Sequence, residues 1–291
     1  MAETVFLNDK LIDLEAARIS VTDSGFLHGA GLFETMRSRH GVVFRLEDHL
    51  ERLSSSARAL SLPFPYEKAQ MGEAIDQVLQ ANQLTEARLR LTLTKGPLRT
   101  PEESRKPTLL ITATAFRPYP AEYYRAGVFV TLCPFRQNAT DPTCGHKTTS
   151  YYPRLLALDR AHREQAVEAL WLTTDTRLAE GCVSNVFLVK NSVLYTPPLE
   201  TPVLAGIARK TIHQLARQQS IELAERDLHL SNVLEADEVF LTNVIMEVLP
   251  VIRVARHTIG DGHVGPMTKK LRDSFLQVIE QGCRRQESGE S

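Results

Sequence analysis

The sequence lacks an excess of either charge and any long apolar run. Its 291 residues carry 34 basic and 35 acidic side chains, for a formal net charge of -1. A near-neutral chain without a block of lysine and arginine offers no broad field to nucleic acid or to an anionic membrane, so we expect neither partner. The longest apolar stretch, near residues 109–116, is too short and too rich in threonine to cross a bilayer.

Cysteine is also scarce, and the first ten residues contain acids but no apolar segment of the secretory kind. No cysteine belongs to a C-x-x-C pair, and no histidine is placed to complete a zinc pattern. We therefore expect no metal site and a reduced, cytoplasmic protein. The cysteines are Cys133, Cys144, Cys182 and Cys283.

What remains is a globular composition, with 43% hydrophobic residues and enough chain for two domains. Apolar residues at helical spacing predict helices over 47–60 and 66–83, and the alternation over 88–94 predicts a half-buried strand. Because strands and helices do not alternate strictly, the pattern favours a mixed α/β (α+β) fold over a simple doubly wound sheet. Pro118 and Pro120 break any regular element. We place an N-terminal α/β domain at 1–117, a linker at 118–126 and a C-terminal domain at 127–291.

Further elements follow from the same patterns, with turns at Asn8-Asp9 and His40-Gly41. The other predicted strands are 5–7, 18–21, 32–37, 42–46, 108–116, 128–132, 168–174, 186–195 and 238–242. The other predicted helices are 152–164, 205–218 and 269–280.

Lys147 ends a loop that contains glycine and threonine. A lysine in such a loop is ordinarily solvated. The functional alternative is a Schiff-base lysine, whose amine must lose its proton through burial or a neighbouring positive charge. Glu180 precedes Gly181 at a turn before a strand, and is either an exposed loop acid or a carboxylate that pairs with a cofactor ring. Gly206 opens a helix, where free N–H groups either are capped or hold a phosphate.

In this order and spacing the segments resemble the class IV, fold-type IV enzymes that use pyridoxal 5′-phosphate (PLP). The resemblance covers almost the whole chain. It rests on Lys147-(x)4-Tyr152, Glu180-Gly181-(x)3-Asn185-(x)-Phe187, Leu204-x-Gly206-Ile207 and residues 242–251, and upstream on the segments 26–37 (FLHGAGLFETMR) and 47–53 (EDHLERL), with 265–269 (GPMTK) near the end.

The resemblance implies a two-domain PLP enzyme that acts on a small amino-acid-like substrate as a homodimer. It implies that Lys147 binds PLP and moves a proton, and that Glu180 pairs with the pyridine nitrogen. Tyr152 is expected near the ring oxygen, and Arg52 at the phosphate. The full set of expected cofactor-binding residues is Arg52, Lys147, Tyr152, Glu180, Gly206, Ile207, Ala208, Thr242 and Asn243.

Two reactions remain open. Thr35, after Phe33-Glu34, resembles the threonine thought to assist proton relay in 4-amino-4-deoxychorismate lyases, which eliminate pyruvate to give 4-aminobenzoate. The substrate carries two carboxylates, for which arginines are candidate clamps, with surface charge as the alternative. The expected substrate residues are His28, Phe33, Arg37, Arg90 and Arg99.

Other features favour an aminotransferase. Arg90 also fits the strand arginine of branched-chain aminotransferases, whereas the loop 97–100 lacks the R-x-H pair of D-amino-acid aminotransferases. We predict the lyase first and a branched-chain type of aminotransferase as the alternative. D-amino-acid and (R)-amine transaminases follow, and a non-catalytic PLP-binding paralogue is remote because Lys147 and Glu180 are intact.

Overall fold

The computed structural model describes residues 3–99 and 106–284. By their contacts the residues divide into two compact units. The first contains the chain up to Arg117, the short segment Lys147–Ser150 and the chain from Val278 onward. The second contains Pro118–His146 and Tyr151–Gln277. A stretch from the middle of the sequence and one from its end therefore belong to the N-terminal unit.

The first unit is built on an antiparallel sheet. Within the described residues the sheet has six strands in the order β2-β1-β6-β5-β3-β4. In β5, the side chains of Leu89, Leu91 and Leu93 are buried and those of Arg88 and Arg90 are exposed, which confirms the predicted alternation. The strands are β1 (Thr4–Leu7), β2 (Lys10–Asp13), β3 (Gly31–Arg39), β4 (Val42–Val43), β5 (Ala87–Thr94) and β6 (Thr108–Ala115).

Three helices accompany this sheet: α1 (Ser24–His28), α2 (Leu46–Ala59) and α3 (Lys68–Ala81). The predicted helices 47–60 and 66–83 correspond to α2 and α3, and their apolar faces join the core of the sheet. Both predicted turns are present: Asn8 and Asp9 have φ of 44° and 53°, and His40 and Gly41 have φ of 52° and 75°. Two consecutive left-handed residues match the right-handed twist of the strands that they connect.

The second unit has a mixed sheet. Nine of its described strands pair, eight of them in the order β12-β11-β10-β13-β14-β7-β8-β9, with β15 on β14. The pairs β14–β7, β7–β8 and β11–β12 are parallel. The strands are β7 (Val128–Gln137), β8 (Glu168–Thr173), β9 (Leu178–Gly181), β10 (Asn185–Lys190), β11 (Val193–Thr196), β12 (Leu223–Glu225), β13 (Glu238–Asn243), β14 (Glu247–Val254) and β15 (His257–Thr258).

The remaining helices are α4 (Ala121–Ala126), α5 (Tyr152–Arg163), α6 (Ile207–Gln218), α7 (Leu230–Leu234) and α8 (Pro266–Gly282). Helix α4 lies inside residues 118–126. Over the described ranges, none of the helices combines the length and the apolar character that a membrane crossing requires.

Three predicted elements differ from the structure. Residues 18–21 form no strand, because Ile19 and Val21 are exposed and have no sheet to pack against. The predicted strand 186–195 is two strands, β10 and β11, because Asn191 and Ser192 adopt φ of 49° and 64° between them. The predicted strand 42–46 ends after two residues, since Leu46 already begins α2.

Candidate active site

Lys147 is fixed along β3 in the first unit. Its carbonyl accepts a hydrogen bond from Phe33 N at 2.9 Å, and Thr149 N donates to Gly31 O at 2.8 Å. The segment thus continues the sheet beside the start of β3. The Lys147 Nζ lies 4.5 Å from the centre of the Phe33 ring, and the residue is partly buried. The amine is therefore held against an apolar ring instead of extending into water.

The same ring carries a second cation. The Arg90 guanidinium carbon lies 3.9 Å from the centre of the Phe33 ring, and Arg90 Nε donates to Thr92 Oγ1 at 3.3 Å. In the register of β3 and β5, Thr35 lies directly opposite Arg90. The structure therefore brings together Lys147, Phe33 and Arg90, three of the residues chosen from the sequence.

The other three predicted substrate residues lie in different surroundings. His28 is exposed at the end of α1, and Arg99 is exposed in the turn after Pro97. Arg37 is buried, and its guanidinium carbon lies 3.9 Å from the centre of the Phe116 ring. Their predicted contact with substrate stays a prediction.

Arg52 belongs to a buried network with Glu34 and His49. Its Nε donates to Glu34 Oε1 at 2.8 Å and its Nη2 to Glu34 Oε2 at 2.5 Å. His49 Nδ1 lies 2.8 Å from Glu34 Oε2. Burial alone would raise the pKa of Glu34, but Arg52 and His49 lower this pKa to about 2. Burial also lowers the pKa of His49. Glu34 is therefore a fixed carboxylate that orients the Arg52 guanidinium.

In the second unit, Glu180 lies near the end of β9 with 3% of its surface exposed. Its Oε2 accepts from Leu204 N at 2.9 Å and from Asn185 Nδ2 at 3.4 Å. Its Oε1 pairs with Arg154 Nη2 at 2.5 Å. The hypothesis that Glu180 is an exposed loop acid is thereby ruled out. Glu180 is a buried carboxylate with hydrogen-bond donors on both oxygens.

The turn after Glu180 is organised by a second buried carboxylate, Glu168. Its oxygens accept from Cys182 N at 2.6 Å, Val183 N at 3.0 Å and Ser184 Oγ at 2.8 Å. Burial raises the pKa of Glu168, and these donors act in the opposite direction. Gly181 is required here, because a Cβ atom would lie 2.8 Å from Glu168 Oε1. Nothing in the sequence pattern singled out Glu168, since its contacts are tertiary.

The carbonyl groups of the same turn are bound from α5. Arg154 Nη1 donates to Gly181 O at 3.0 Å and to Cys182 O at 3.3 Å, and the Tyr151 hydroxyl donates to Cys182 O at 2.9 Å. Burial raises the pKa of Tyr151. Tyr152 is 72% exposed, and its expected place near the ring oxygen of PLP stays a prediction. Tyr151, one position earlier, is the tyrosine that binds the turn after Glu180.

Gly206 is the N-cap of α6, one position before the predicted first turn. A Cβ atom here would lie 2.0 Å from Asn185 Oδ1. Glycine therefore lets Asn185 Nδ2 reach Leu204 O at 2.9 Å while the same amide faces Glu180. Ile207 and Ala208 follow in the first turn, both buried, where the N–H groups of a helix start are suited to an anion.

Thr242 and Asn243 build the turn between β13 and β14. Thr242 Oγ1 donates to Glu247 O at 2.6 Å. Asn243 Oδ1 accepts from Ile245 N and Met246 N, each at 2.8 Å, and its Nδ2 donates to Val183 O at 2.9 Å. Both side chains thus stabilise the turn, and Asn243 also joins it to the turn that Glu168 binds. The place of Thr242 and Asn243 beside the cofactor stays a prediction.

The sequence profile of the family described as amino-transferase class IV matches residues 31–254. The chain belongs to this family. A provisionally assigned branched-chain-amino-acid aminotransferase of Methanocaldococcus jannaschii is 34% identical to this class IV chain, over 94% of this chain and 96% of that protein. The aminodeoxychorismate lyase of Bacillus subtilis is 30% identical, over 95% of this chain and 94% of that protein.

Solved structures agree with this class IV assignment. The branched-chain amino acid aminotransferase of Escherichia coli superposes with a TM-score of 0.91 at 28% identity, covering 99% of this chain and 98% of that one. A second branched-chain amino acid aminotransferase, complexed with N-(5′-phosphopyridoxyl)-L-glutamate, gives a TM-score of 0.88 at 26% identity over 99% of this chain and 97% of that one. The predicted family and fold type are therefore confirmed.

Class IV aminotransferases are PLP enzymes, so the predicted cofactor and enzyme class are confirmed as well. The donor set of this chain fits that cofactor: a lysine amine on an apolar ring, a braced buried carboxylate and a helix start with free N–H groups. The comparisons include both reactions named above. They support the aminotransferase, given as the alternative, better than the lyase that was predicted first.

Proposed function

We propose that the protein is a PLP-dependent aminotransferase of the branched-chain type, which exchanges an amino group between apolar branched amino acids and glutamate. The observation that carries the proposal is the Phe33 ring with Lys147 and Arg90 upon it. Phe33 gives the amine an apolar neighbour, and Arg90 has an exposed guanidinium that suits the side-chain carboxylate of glutamate. An enzyme that accepts both leucine and glutamate needs apolar surroundings for one side chain and a cation for the other.

The relative solved with the phosphopyridoxyl adduct of L-glutamate supports this pairing of substrates. The same enzyme was also solved with 4-methylvaleric acid, an apolar branched acid. These two ligand classes match the guanidinium on β5 and the ring on β3 of this chain.

Bound PLP supplies an electron sink for amino-acid chemistry. We assign to Lys147 Nζ the covalent hold on the cofactor and the transfer of the substrate α-proton. Glu180, a carboxylate held by Leu204 N and Arg154, would accept a hydrogen bond from the pyridine nitrogen. Arg52, oriented by Glu34, and the first N–H groups of α6 are the groups that would bind the phosphate.

We also infer a cytoplasmic homodimer. The four cysteines are free, which suits a reducing compartment. In the first unit four apolar side chains within one short stretch are exposed, and such a patch is the kind that a second copy covers. They are Ile19 (46%), Val21 (76%), Phe26 (75%) and Leu27 (48%). Sedimentation equilibrium should give twice 32.6 kDa, and Phe26→Asp should lower the mass to that of one chain. A monomeric wild type would contradict the inference.

The test of the reaction is the visible spectrum of the holoenzyme while L-leucine, L-glutamate and D-alanine are added in turn. We expect L-leucine and L-glutamate to bleach the yellow colour, and D-alanine to leave it unchanged. Arg90→Gln should raise the KM for glutamate about tenfold, the effect of losing one charge-assisted contact, and leave the KM for leucine within about twofold. Arg88→Gln, two residues earlier on the same strand face, is the matched control. Equal effects on both substrates would contradict the role of Arg90.

The lyase is the second candidate, because Thr35 lies opposite Arg90 and because the Bacillus subtilis lyase covers nearly the whole chain. If no amino donor bleaches the colour and 4-amino-4-deoxychorismate releases pyruvate, the lyase replaces the aminotransferase. Thr35→Ala should then reduce pyruvate release by about 100-fold, as expected for the loss of a proton-relay group.

A further inference from the structure

Arg154 lies in the first turn of α5 and has more partners around Glu180 than a single ion pair requires. Its Nη2 contacts Glu180 Oε1 at 2.5 Å, and its Nη1 donates to the carbonyls of Gly181 and Cys182. Its guanidinium carbon lies 5.5 Å from the centre of the Trp171 ring. Only 22% of the side chain is exposed. A planar guanidinium with contacts in three directions has little freedom to move.

These contacts restrict Glu180 as well. One of its oxygens is bound to Arg154 and the other to Leu204 N. The turn that follows is bound on its N–H side by Glu168 and on its carbonyl side by Arg154. The carboxylate therefore has one orientation before any cofactor atom reaches it, and it already shares its negative charge with a cation.

We propose that Arg154 is a positioning residue that fixes the Glu180 carboxylate and reduces the negative charge which Glu180 presents to the pyridine nitrogen of PLP. The inference rests on the proposed contact between Glu180 and that nitrogen. A carboxylate shared with a guanidinium stabilises a protonated ring nitrogen less than an unshared one does. Arg154 thus moderates the electron sink that Glu180 would otherwise strengthen.

The charges around Glu180 determine the direction in which Arg154 shifts the pKa of the ring nitrogen. Tyr151 and Cys144 are further titratable groups that interact with Glu180, and Glu168 binds the turn that follows it. Tyr151 is neutral at ordinary pH, because burial raises its pKa. Burial likewise raises the pKa of Cys144. Arg154 is a full positive charge in direct contact with Glu180, so its removal should change the electrostatic field at that carboxylate strongly.

The experiment follows the ring nitrogen directly, by 15N NMR of the holoenzyme loaded with PLP labelled at that nitrogen, across a pH series. Arg154→Gln should raise the pKa of the ring nitrogen by about one pH unit, because a positive charge within a few ångströms has gone. Arg154→Lys keeps the charge and should leave this pKa within a few tenths of wild type, while its melting temperature falls because the two carbonyl contacts are lost. Arg163→Gln, on the exposed side of α5 in an ion pair with Asp159, should change neither.

The outcomes separate charge from structure. If Arg154→Gln leaves the titration unchanged, the charge-tuning role is wrong. If Arg154→Lys shifts the ring-nitrogen pKa as far as Arg154→Gln does, the effect comes from a displaced Glu180, which overturns the charge-tuning role and supports only the positioning role. If Glu180→Gln leaves the pKa of the ring nitrogen as it is in wild type, Glu180 does not contact that nitrogen and the role of Glu180 is wrong. Loss of PLP binding by wild type would instead contradict the proposed function.

Discussion

Two buried carboxylates, Glu34 in the first unit and Glu168 in the second, are held in opposite ways. In the first, Glu34 is bound by side chains, the Arg52 guanidinium and the His49 ring. In the second, Glu168 is bound by backbone N–H groups of the turn after Glu180 and by the Ser184 hydroxyl. One carboxylate is neutralised by a charge, and the other is solvated by dipoles.

The difference appears in the pKa values. Burial raises the pKa of both acids, but Arg52 reverses this effect at Glu34 and lowers its pKa to about 2. The neutral donors around Glu168 do not reverse it, so the pKa of Glu168 is raised. A full cation offsets desolvation, whereas neutral donors shape a turn without doing so. The contribution of Glu34 to stability is therefore expected to depend on acid pH, and that of Glu168 on its role as an acceptor for the turn.

We expect the largest effect on stability from the loss of Glu168, the carboxylate that is bound by neutral donors. Glu168→Ala leaves the N–H groups of Cys182 and Val183 buried without an acceptor and opens a cavity, which should lower the free energy of unfolding by about 4 kcal/mol. Urea titration measures it. Ser184→Ala removes only one donor and should cost about 1 kcal/mol. If the two variants are equally stable, Glu168 does not organise the turn.

The second prediction concerns how the stabilisation by Glu34 depends on pH. Because the pKa of Glu34 is about 2 when folded against 4.5 as its ordinary value, its stabilisation is complete above pH 4.5 and is lost as pH falls toward 2. The shift corresponds to about 3 kcal/mol. Glu34→Gln should remove this amount at pH 7 and flatten the acid limb of stability against pH.

Glu51→Gln is the matched control on the same helix as Arg52, since Glu51 is exposed and pairs with Lys68. Its stability profile should follow that of wild type at every pH. If stability still falls at acid pH in Glu34→Gln, other groups cause the acid response and the contrast between Glu34 and Glu168 is wrong.

The smallest effect compares adjacent tyrosines. Tyr151→Phe removes a buried hydroxyl bound to Cys182 O and should cost about 1 kcal/mol. Tyr152→Phe alters an exposed ring and should change the free energy of unfolding by less than about 0.5 kcal/mol. Thermal denaturation of the two variants measures both changes, and a larger loss in Tyr152→Phe would contradict the stabilising role of the Tyr151 hydroxyl.

The two adjacent tyrosines show what sequence patterns could predict and what they could not. The strand–turn pairs, α2 and α3 follow from local periodicity and turn chemistry, which the sequence displays directly. Whether Tyr151 or Tyr152 faces the turn depends on where α5 begins, because each residue rotates the side chain by about 100° around the axis. The spacing of residues within a motif does not show at which residue the helix begins.

Tertiary partners were equally out of reach. Glu168 precedes the turn that it binds by 14 residues, and Arg154 lies 26 residues before Glu180, so no local pattern joins them. Helix α1 was missed because its five residues are too few for periodicity. Its start depends on Asp23, whose carboxylate accepts from Gly25 N and from the hydroxyls of Thr94 and Thr108.

The composition of the first unit also governs how the protein is made. Its sheet is complete within the first 117 residues, but Lys147–Ser150 and the chain from Val278 belong to it as well. A ribosome delivers those segments only after part or all of the second unit has been synthesised. During synthesis, the part of the β3 edge that pairs with the Lys147 segment therefore stays exposed until that segment has been made. We expect a molecular chaperone to bind this edge in the meantime.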